Sequence, residues 1–257
     1  MFRISRRRFI ALAGLAAAVY MVPGSLRAYD VELSRYSMGL GVRILHVADL
    51  HLHAGDRLEH LRLVEAVRPD LLVLGGDTWD MATRDKGRLE EWVSAAVSAS
   101  RRAIAVLGNH EYNADSSGRL RLAEGLRLLD RYGIIVLRDE ATRVLGLEVA
   151  GLDWRWNPEE YSEAAGSIEG MESVDLVVAH SPDVLPHLPS GRGLVLAGHT
   201  HGGQMCLPGG RGIVTNSVYG FMSGVYSMRG WTMIVSRGAG ELVPPRVYCR
   251  RELVAVS

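Results

Sequence analysis

Short apolar runs, each closed by a polar residue, recur along the chain after residue 41. Five of these runs are RILHVADLH, DLLVLGGD, RAIAVLGNH, DLVVAHS and GLVLAGHTH. Runs this short, without alternation of polar and apolar positions, are typical of strands that are buried on both faces. We therefore predict a strand in each run, with polar side chains where the strand ends.

Apolar residues at helical spacing lie between the early runs. Leu58, Leu61 and Val64 form a first stripe, residues 89–97 contain a second, and residues 120–129 contain a third. Strands that alternate with helices in this way predict an α/β fold.

The pattern changes in the last part of the chain, where glycines become more frequent. Residues 224–238 predict two extended runs joined by a turn at Met228-Arg229-Gly230, and residues 246–257 predict a closing strand. Before them, residues 154–172 predict an exposed loop that contains a short helix.

The polar residues that close the five runs are of few kinds. They are Asp49, His51, Asp77, Asn109, His110, His180, His199 and His201. In open α/β sheets, ligands bind beyond the carboxyl ends of the strands. A His-x-His pair at a strand end directs both imidazoles to the same side, and the flanking glycines permit a sharp turn. Imidazoles held close together on open backbone indicate a metal site.

In chain order, these residues form the blocks D-x-H, GD, GNHE, H and GHxH. The series resembles the signature of the calcineurin-like metallophosphoesterase family, and the similarity spans residues 43–204. The resemblance implies an α/β/β/α sandwich, in which two central mixed β-sheets are flanked by helices, with a metallophosphoesterase domain at residues 41–257. GHTHGGQ, taken with the N-terminal segment, is most similar to the bacterial exported or membrane-associated subgroup.

The resemblance also implies a ligand set for two divalent metal ions. One ion would be bound by Asp49, His51, Asp77 and His201, and the other by Asp77, Asn109, His180 and His199, with Asp77 bridging them. Oxygen and imidazole ligands without thiolate suit Mn, Fe or Zn, and a hydroxide bridging the ions would attack phosphorus. His110 is not a ligand in the family. It is the expected catalytic residue, placed to stabilise the phosphoryl oxygens or to protonate the leaving oxygen.

The other histidines are assigned no ligand role. His46 is expected to be structural within the first strand, His53 to lie in a solvated loop, and His60 and His187 to lie at the surface. Cys206 follows His201 closely, but the family's ligand set contains no thiol, so we expect no coordination by it.

Residues beside the motifs have further possible roles. Asp80 either orients a ligand from the outer shell or belongs to a turn, and both remain open. Glu111 is expected to hold His110. Trp154 and Trp156 either flank the site and bind an apolar or sugar group, or pack in the core as tryptophan more commonly does.

The bulk composition of the 257 residues is that of an ordinary globular protein, with 29 basic and 29 acidic side chains. The zero net charge gives no electrostatic reason to expect nucleic-acid binding, and no nucleic-acid-binding signature is present. Two cysteines, Cys206 and Cys249, are too few for a disulfide framework. One bridge in an exported protein and two separate thiols are equally open.

The N-terminal segment is strongly biased in composition. Four arginines within residues 3–8 precede an uncharged run at residues 9–22. This arrangement predicts that residues 1–28 are a twin-arginine-type signal, with the recognition pair at Arg6-Arg7 and possible cleavage after Ala28. An uncleaved membrane anchor is the main alternative, and a buried helix of the domain is a distant third.

The expected function is that of a binuclear metal-dependent phosphoesterase, acting on phosphodiesters or related phosphate esters outside the cytoplasmic membrane, in the periplasm or cell envelope. The expected partners are a small-molecule, cell-envelope or lipid-linked phosphoester substrate and the twin-arginine export machinery. The alternative is a UDP-2,3-diacylglucosamine pyrophosphatase of lipid A biosynthesis, anchored to the cytoplasmic membrane through its N-terminus. A metal-free scaffold is disfavoured because this chain retains the whole ligand series.

Overall fold

The computed structural model describes residues 30–52, 59–83, 86–118, 120–241 and 245–257, together with residues 6, 10, 14, 18, 21 and 22, which are helical. Within this described part, no helix is both long and apolar enough to cross a membrane. Most of the predicted signal or anchor at residues 1–28 lies outside the described residues, as does His53. These expectations therefore stay predictions.

Two six-stranded sheets form the centre of the described structure. The first sheet has the order β1-β12-β2-β3-β4-β5, made of β1 (Val31–Tyr36), β2 (Ile44–Val47), β3 (Leu71–Gly75), β4 (Arg102–Val106), β5 (Ile135–Val136) and β12 (Arg251–Val256). The second has the order β10-β11-β9-β8-β7-β6, made of β6 (Glu140–Val144), β7 (Leu147–Leu152), β8 (Leu176–Ala179), β9 (Gly193–Ala197), β10 (Gly224–Met228) and β11 (Trp231–Val235).

Helices cover the outer faces of the two sheets. They are α1 (Glu59–Val67), α2 (Lys86–Ser98), α3 (Asn109–Ser116), α4 (Leu122–Arg131) and α5 (Tyr161–Ser167). The three predicted apolar stripes correspond to α1, α2 and α4. The predicted loop at residues 154–172 contains α5, and the turn at Met228-Arg229-Gly230 joins β10 to β11.

Three apolar clusters hold these layers together. Side chains such as Leu72 and Leu74 of β3 pack against α1, α2 and α4, whereas their neighbour Val73 faces the second sheet. A third cluster, which includes Val177 and Tyr161, joins the second sheet to α5. Alternate residues of a strand therefore pack into different apolar clusters, because successive side chains point to opposite faces of the sheet. The expected α/β/β/α sandwich is confirmed.

The parallel strands of both sheets end at one edge of the molecule, which we call the carboxyl edge. In the first sheet β2, β3, β4 and β5 are parallel, and in the second β7, β8, β9 and β11 are parallel. The sheets meet there, because the backbone N–H of His199 after β9 lies 3.0 Å from both carboxylate oxygens of Asp49 after β2. The convergence of the strand ends brings the motif residues of both sheets together.

The first sheet also contains residues that precede residue 41, where the expected catalytic domain begins. β1 is parallel to β12, and β12 is antiparallel to β2. Val31, the first residue of β1, pairs with Arg251 and so lies at the carboxyl edge. The chain therefore enters the fold beside the ends of the parallel strands.

Two side chains are placed by contacts between distant segments. The expectation that His60 lies at the surface is wrong: it is 2% exposed, because it faces the core beside Leu61 and its Nε2 lies 2.9 Å from the carbonyl oxygen of Ala239. Cys206 and Cys249 form a disulfide, with their Cα atoms 5.3 Å apart. Of the two open interpretations, one disulfide or two separate thiols, the structure has the disulfide.

Candidate metal centre

The backbone at the strand ends adopts an unusual conformation. Five of the seven expected ligands have a positive φ: Asp49 (52°), His51 (43°), Asp77 (54°), His199 (71°) and His201 (51°). L-residues seldom occupy this left-handed region, and each such residue costs on the order of 1–3 kcal/mol unless its surroundings impose the conformation. The left-handed backbone directs these side chains inward, and the packing of the strands maintains this conformation.

Glycines in the motifs make room for the ligand carboxylates. A Cβ at Gly108 would lie 2.3 Å from Asp77 Oδ1, and one at Gly198 would lie 2.5 Å from Asp49 Oδ2. Both distances are far below van der Waals contact. These two glycines are required because the backbone after β4 and β9 passes directly against an acidic side chain.

The expected ligands converge at the carboxyl edge. Three overlapping groups each have candidate ligand atoms within 4.8 Å of one another: Asp49, His51 and His201; His51, Asp77 and His110; Asp77, His180 and His199. Asn109 lines the same cleft, whose volume is about 210 Å³. The structure thus brings all seven expected ligands and His110 to one place.

Burial and charge together determine the protonation of these groups. Burial by itself lowers the pKa of His180, but the carboxylates of Asp77 and Asp49 outweigh it and raise the pKa to about 10. Burial alone would raise the pKa of Asp77, yet His180, His51 and His110 hold it below its ordinary value. The Asp77 carboxylate is therefore kept ionised in an interior that would otherwise disfavour charge.

Two imidazoles are held neutral. Burial, followed by the charge of His180, lowers the pKa of His199 to about 3, and burial with the guanidinium of Arg246 lowers the pKa of His201 well below its ordinary value. A neutral imidazole has one unprotonated ring nitrogen, and this is the form that binds a metal ion.

The donor set fits a metal-ion site. Among the described residues, His51 Nε2 and Asn109 Oδ1 are buried and have no hydrogen-bond partner. Buried polar atoms left in this state cost free energy unless a ligand satisfies them. Carboxylate oxygens, an amide oxygen and imidazole nitrogens are ligands that suit divalent transition metals.

Residues 42–203 match the family described as calcineurin-like phosphoesterase. The chain belongs to this family. A metallophosphoesterase of Aquifex aeolicus (strain VF5) is 30% identical over 89% of this chain and 89% of its own length. Phosphodiesterase YaeI of Escherichia coli (strain K12) is 28% identical over 99% of each chain. The crystal structure of TT1561 of Thermus thermophilus shares 14% identity over 77% of this chain and 89% of that chain, with a TM-score of 0.48.

An outer layer of polar groups holds the ligands of this phosphoesterase in place. Asp80 Oδ2 lies 2.8 Å from His51 Nδ1, while Asp80 Oδ1 accepts hydrogen bonds from the backbone of Ala82 and Thr83. Asp80 therefore has both of the roles left open by its sequence position. It fixes the His51 ring so that Nε2 points into the cluster.

Glu111 does not hold His110, and that expectation is wrong. Its carboxylate accepts hydrogen bonds from the backbone N–H groups of Gly108, Asp77 and Thr78. The side chain points back along α3 to the strand ends, away from the cleft, and links the loops after β3 and β4. Burial and the Asp77 carboxylate raise the pKa of Glu111 to about 7.

Two further residues contact the ligands, and sequence reasoning missed both. Arg246 is fully buried, and its Nη2 lies 2.9 Å from His201 Nδ1. Asn216 Nδ2 lies 3.0 Å from His199 Nε2, in the wall of the cleft. Neither belongs to a motif, and only the tertiary structure brings the segments that contain them to the strand ends.

Trp154 and Trp156 flank the site. The Trp154 ring lies 4.9 Å from that of His199 and 5.7 Å from that of His180, measured between centroids. Trp156 packs against Trp154 at 5.5 Å and remains 69% exposed. These two tryptophans therefore flank the site and do not pack in the core.

The remaining candidates lie outside the ligand groups. His46 is buried in the sheet interior, where burial and His180 lower its pKa to about 3. His187 is partly exposed, and its Nε2 lies 2.8 Å from the Tyr219 hydroxyl. Cys206 is engaged in the disulfide rather than in the cleft.

Proposed function

We propose that this metal-dependent phosphoester hydrolase binds two divalent ions and cleaves phosphodiesters. The observation that carries the proposal is the position of Asp77, whose carboxylate belongs to two of the three ligand groups. A carboxylate with two oxygens can bridge two cations, whereas an imidazole generally cannot. Mn, Fe or Zn suits the mixed oxygen and nitrogen donors.

Divalent ions in such a site supply Lewis-acid activation of the phosphate and of a water nucleophile. The protein's own residues supply position and proton transfer. The rings of His51, fixed by Asp80, and His201, contacted by Arg246, stack on each other. The rings of His180 and His199 form a second pair, against Trp154. The phosphate would lie near these two pairs.

His110 has the position of an acid–base group. Its ring is 4.9 Å from that of His51, it lines the cleft, and its Nδ1 has no hydrogen-bond partner among the described residues. Burial lowers its pKa. We assign it to stabilising the phosphoryl oxygens and to protonating the leaving oxygen.

The preference for diesters is supported by the relative from Escherichia coli, which is named a phosphodiesterase. The experiment is metal analysis of the purified full chain, followed by assays with a phosphomonoester, a phosphodiester and a pyrophosphate. We expect about two metal ions per chain and the highest kcat/KM for the diester. A single ion per active chain would overturn the binuclear assignment. A preference for a UDP-linked pyrophosphate would replace the diester assignment with the lipid A alternative.

The proposed location is outside the cytoplasmic membrane, reached by the twin-arginine route. The support is the sequence of residues 1–28, with its Arg6-Arg7 pair and moderately apolar run. A signal receptor recognises arginine geometry, whereas an anchor needs only positive charge. We expect Arg6→Lys/Arg7→Lys to retain folded enzyme in the cytoplasm, as measured by fractionation. Equal export of the wild type and the double variant would overturn the route.

A further inference from the structure

Exposed apolar side chains are concentrated beside the cleft. In the part of the chain that the structure describes after residue 30, most of the large apolar side chains that face solvent belong to one segment, residues 207–225. Five of them, together with the exposed Trp156, make up what we call the apolar rim: Trp156, Leu207, Ile213, Val214, Val218 and Tyr219. Val214 is 66% exposed and Val218 is 71% exposed. Apolar patches of this kind mark interaction surfaces.

The rim is held in a defined conformation. Asp183, which is 3% exposed, accepts hydrogen bonds from the backbone of Val218 and from the Ser217 hydroxyl. The Cys206–Cys249 disulfide fixes the start of the segment. The outward position of the valines is therefore built into the fold and is not a consequence of a loose loop.

The rim borders the metal cleft directly. Asn216, between Val214 and Val218 in the chain, contacts His199 at 3.0 Å. On the other side of His199, Trp154 connects the cleft to the exposed ring of Trp156. Whatever covers the rim will therefore also cover the mouth of the cleft.

The charge of residues 204–222 favours an anionic or neutral surface over a basic one. Residues 184–240 contain no aspartate or glutamate, and Arg211 is the only charged residue at positions 204–222. The segment can thus approach anionic groups without like-charge repulsion.

The N-terminal segment joins the fold at the same place. β1 starts at the carboxyl edge, and Glu32 lies 3.1 Å from Arg237, whose side chain packs against Gly202 next to His201. Glu32 and Arg237 also share a depression of about 310 Å³ with Gly209 and Gly210 of the rim segment. The apolar run at residues 9–22 is therefore connected to the rim side of the molecule by a short stretch of chain.

We propose that the apolar rim docks on a lipid bilayer, so that the metal cleft faces the lipid headgroups. A lipid surface accounts for both observations at this edge, the exposed valines and the entry of an apolar N-terminal run. It also accounts for the composition of residues 207–225, which contain exposed apolar side chains, Arg211 and no acidic residue. On the proposed function, the enzyme would act on phosphoesters carried at headgroup depth.

The test uses single-cysteine labelling of the full chain. Because the two native cysteines form a disulfide, a cysteine introduced by Val218→Cys provides the reactive thiol. The matched control is Met228→Cys, an exposed apolar position at the opposite edge, where β10 begins its turn into β11. Each variant is labelled with an environment-sensitive fluorophore and mixed with vesicles of equimolar phosphatidylethanolamine and phosphatidylglycerol.

We expect the label at position 218 to shift to the blue and to be quenched by a lipid-borne nitroxide, while the label at 228 stays in water. No response at either position, or an equal response at both, would overturn the proposal. Shielding of the label at 218 before vesicles are added would also overturn it, because the rim would then be covered by the N-terminal segment or by a second copy of the chain.

A kinetic measurement separates docking from chemistry. The variant Val214→Ser/Val218→Ser should lose roughly tenfold or more of its activity on a phosphodiester embedded in vesicles, and keep its activity on a water-soluble diester. An equal loss on both substrates would contradict docking. If the wild type cleaves neither diester, the proposed function fails, whereas the labelling result still decides whether the rim binds lipid.

Discussion

Aspartates are paired with basic side chains at both edges of the parallel strands, but in opposite environments. At the carboxyl edge, Asp49 and Asp77 are at most 1% exposed and face buried imidazoles. At the opposite edge, Asp70 is bound by Arg43 and Arg101, whose side chains are 57% and 69% exposed. Water screens the ion pairs of Asp70 and is excluded from Asp49 and Asp77. Equal charges therefore interact much more strongly at the carboxyl edge than at the opposite edge.

The size of a depression does not indicate where the chemistry lies. The opposite edge has a depression of about 750 Å³ lined by Arg43, Arg68 and Arg101, whereas the cleft over the candidate metal centre measures about 210 Å³. The smaller cleft has the buried donors and the left-handed backbone. Burial of unsatisfied donors, and not the size of a depression, distinguishes a site from a charged surface.

The largest effect is expected at Asp77. Asp77→Asn should release more metal than Asn109→Ala, because the bridging carboxylate would serve two ions and the amide only one. Metal content per chain, measured by elemental analysis, tests this. Asn109→Ala is the matched control, and equal metal content in wild type and Asp77→Asn would remove the basis of the binuclear site.

A large kinetic effect without metal loss is expected at His110. His110→Ala should lower kcat by ~10²–10⁴-fold, the usual contribution of acid–base catalysis, and should keep the metal. The loss should shrink for substrates with good leaving groups, which need no proton. Loss of metal in this variant would instead place His110 among the ligands, as its proximity to His51 and Asp77 allows.

An intermediate effect is expected at Asp80. Asp80→Asn removes the negative charge beside His51 Nδ1 and should weaken metal affinity by about 10–100-fold, the usual effect of changing an outer-shell partner. Titration of the metal-depleted protein with Mn or Zn measures the change. Unchanged affinity would mean that Asp80 serves the turn at Ala82 and Thr83 alone.

The smallest effect is expected at the opposite edge. Asp70→Asn keeps an oxygen acceptor for the Arg43 backbone but removes two exposed ion pairs. The free energy of unfolding should fall by less than about 1 kcal/mol, with metal content and kcat unchanged. A loss of activity here comparable with that of Asp80→Asn would contradict the difference between the two edges.

Local patterns in the sequence were enough to predict the five strands that carry the motif residues. Five short apolar runs end within three residues of Asp49, Asp77, Asn109, His180 and His199, and the strands end there in the structure. Burial of short apolar segments and the periodicity of helices are local properties, so they can be recognised along the chain. The resemblance to the family then supplied the expected role of each polar residue.

Contacts between distant segments were decided only by the tertiary structure. Glu111 was expected to hold His110, yet its carboxylate binds the backbone of loops after two strands, because α3 begins directly at the strand end. Asn216 and Arg246 lie outside the motifs and contact His199 and His201 only through the tertiary structure. Strain at positive φ and the direction of a long side chain depend on what packs around them, and single-sequence patterns do not contain that information.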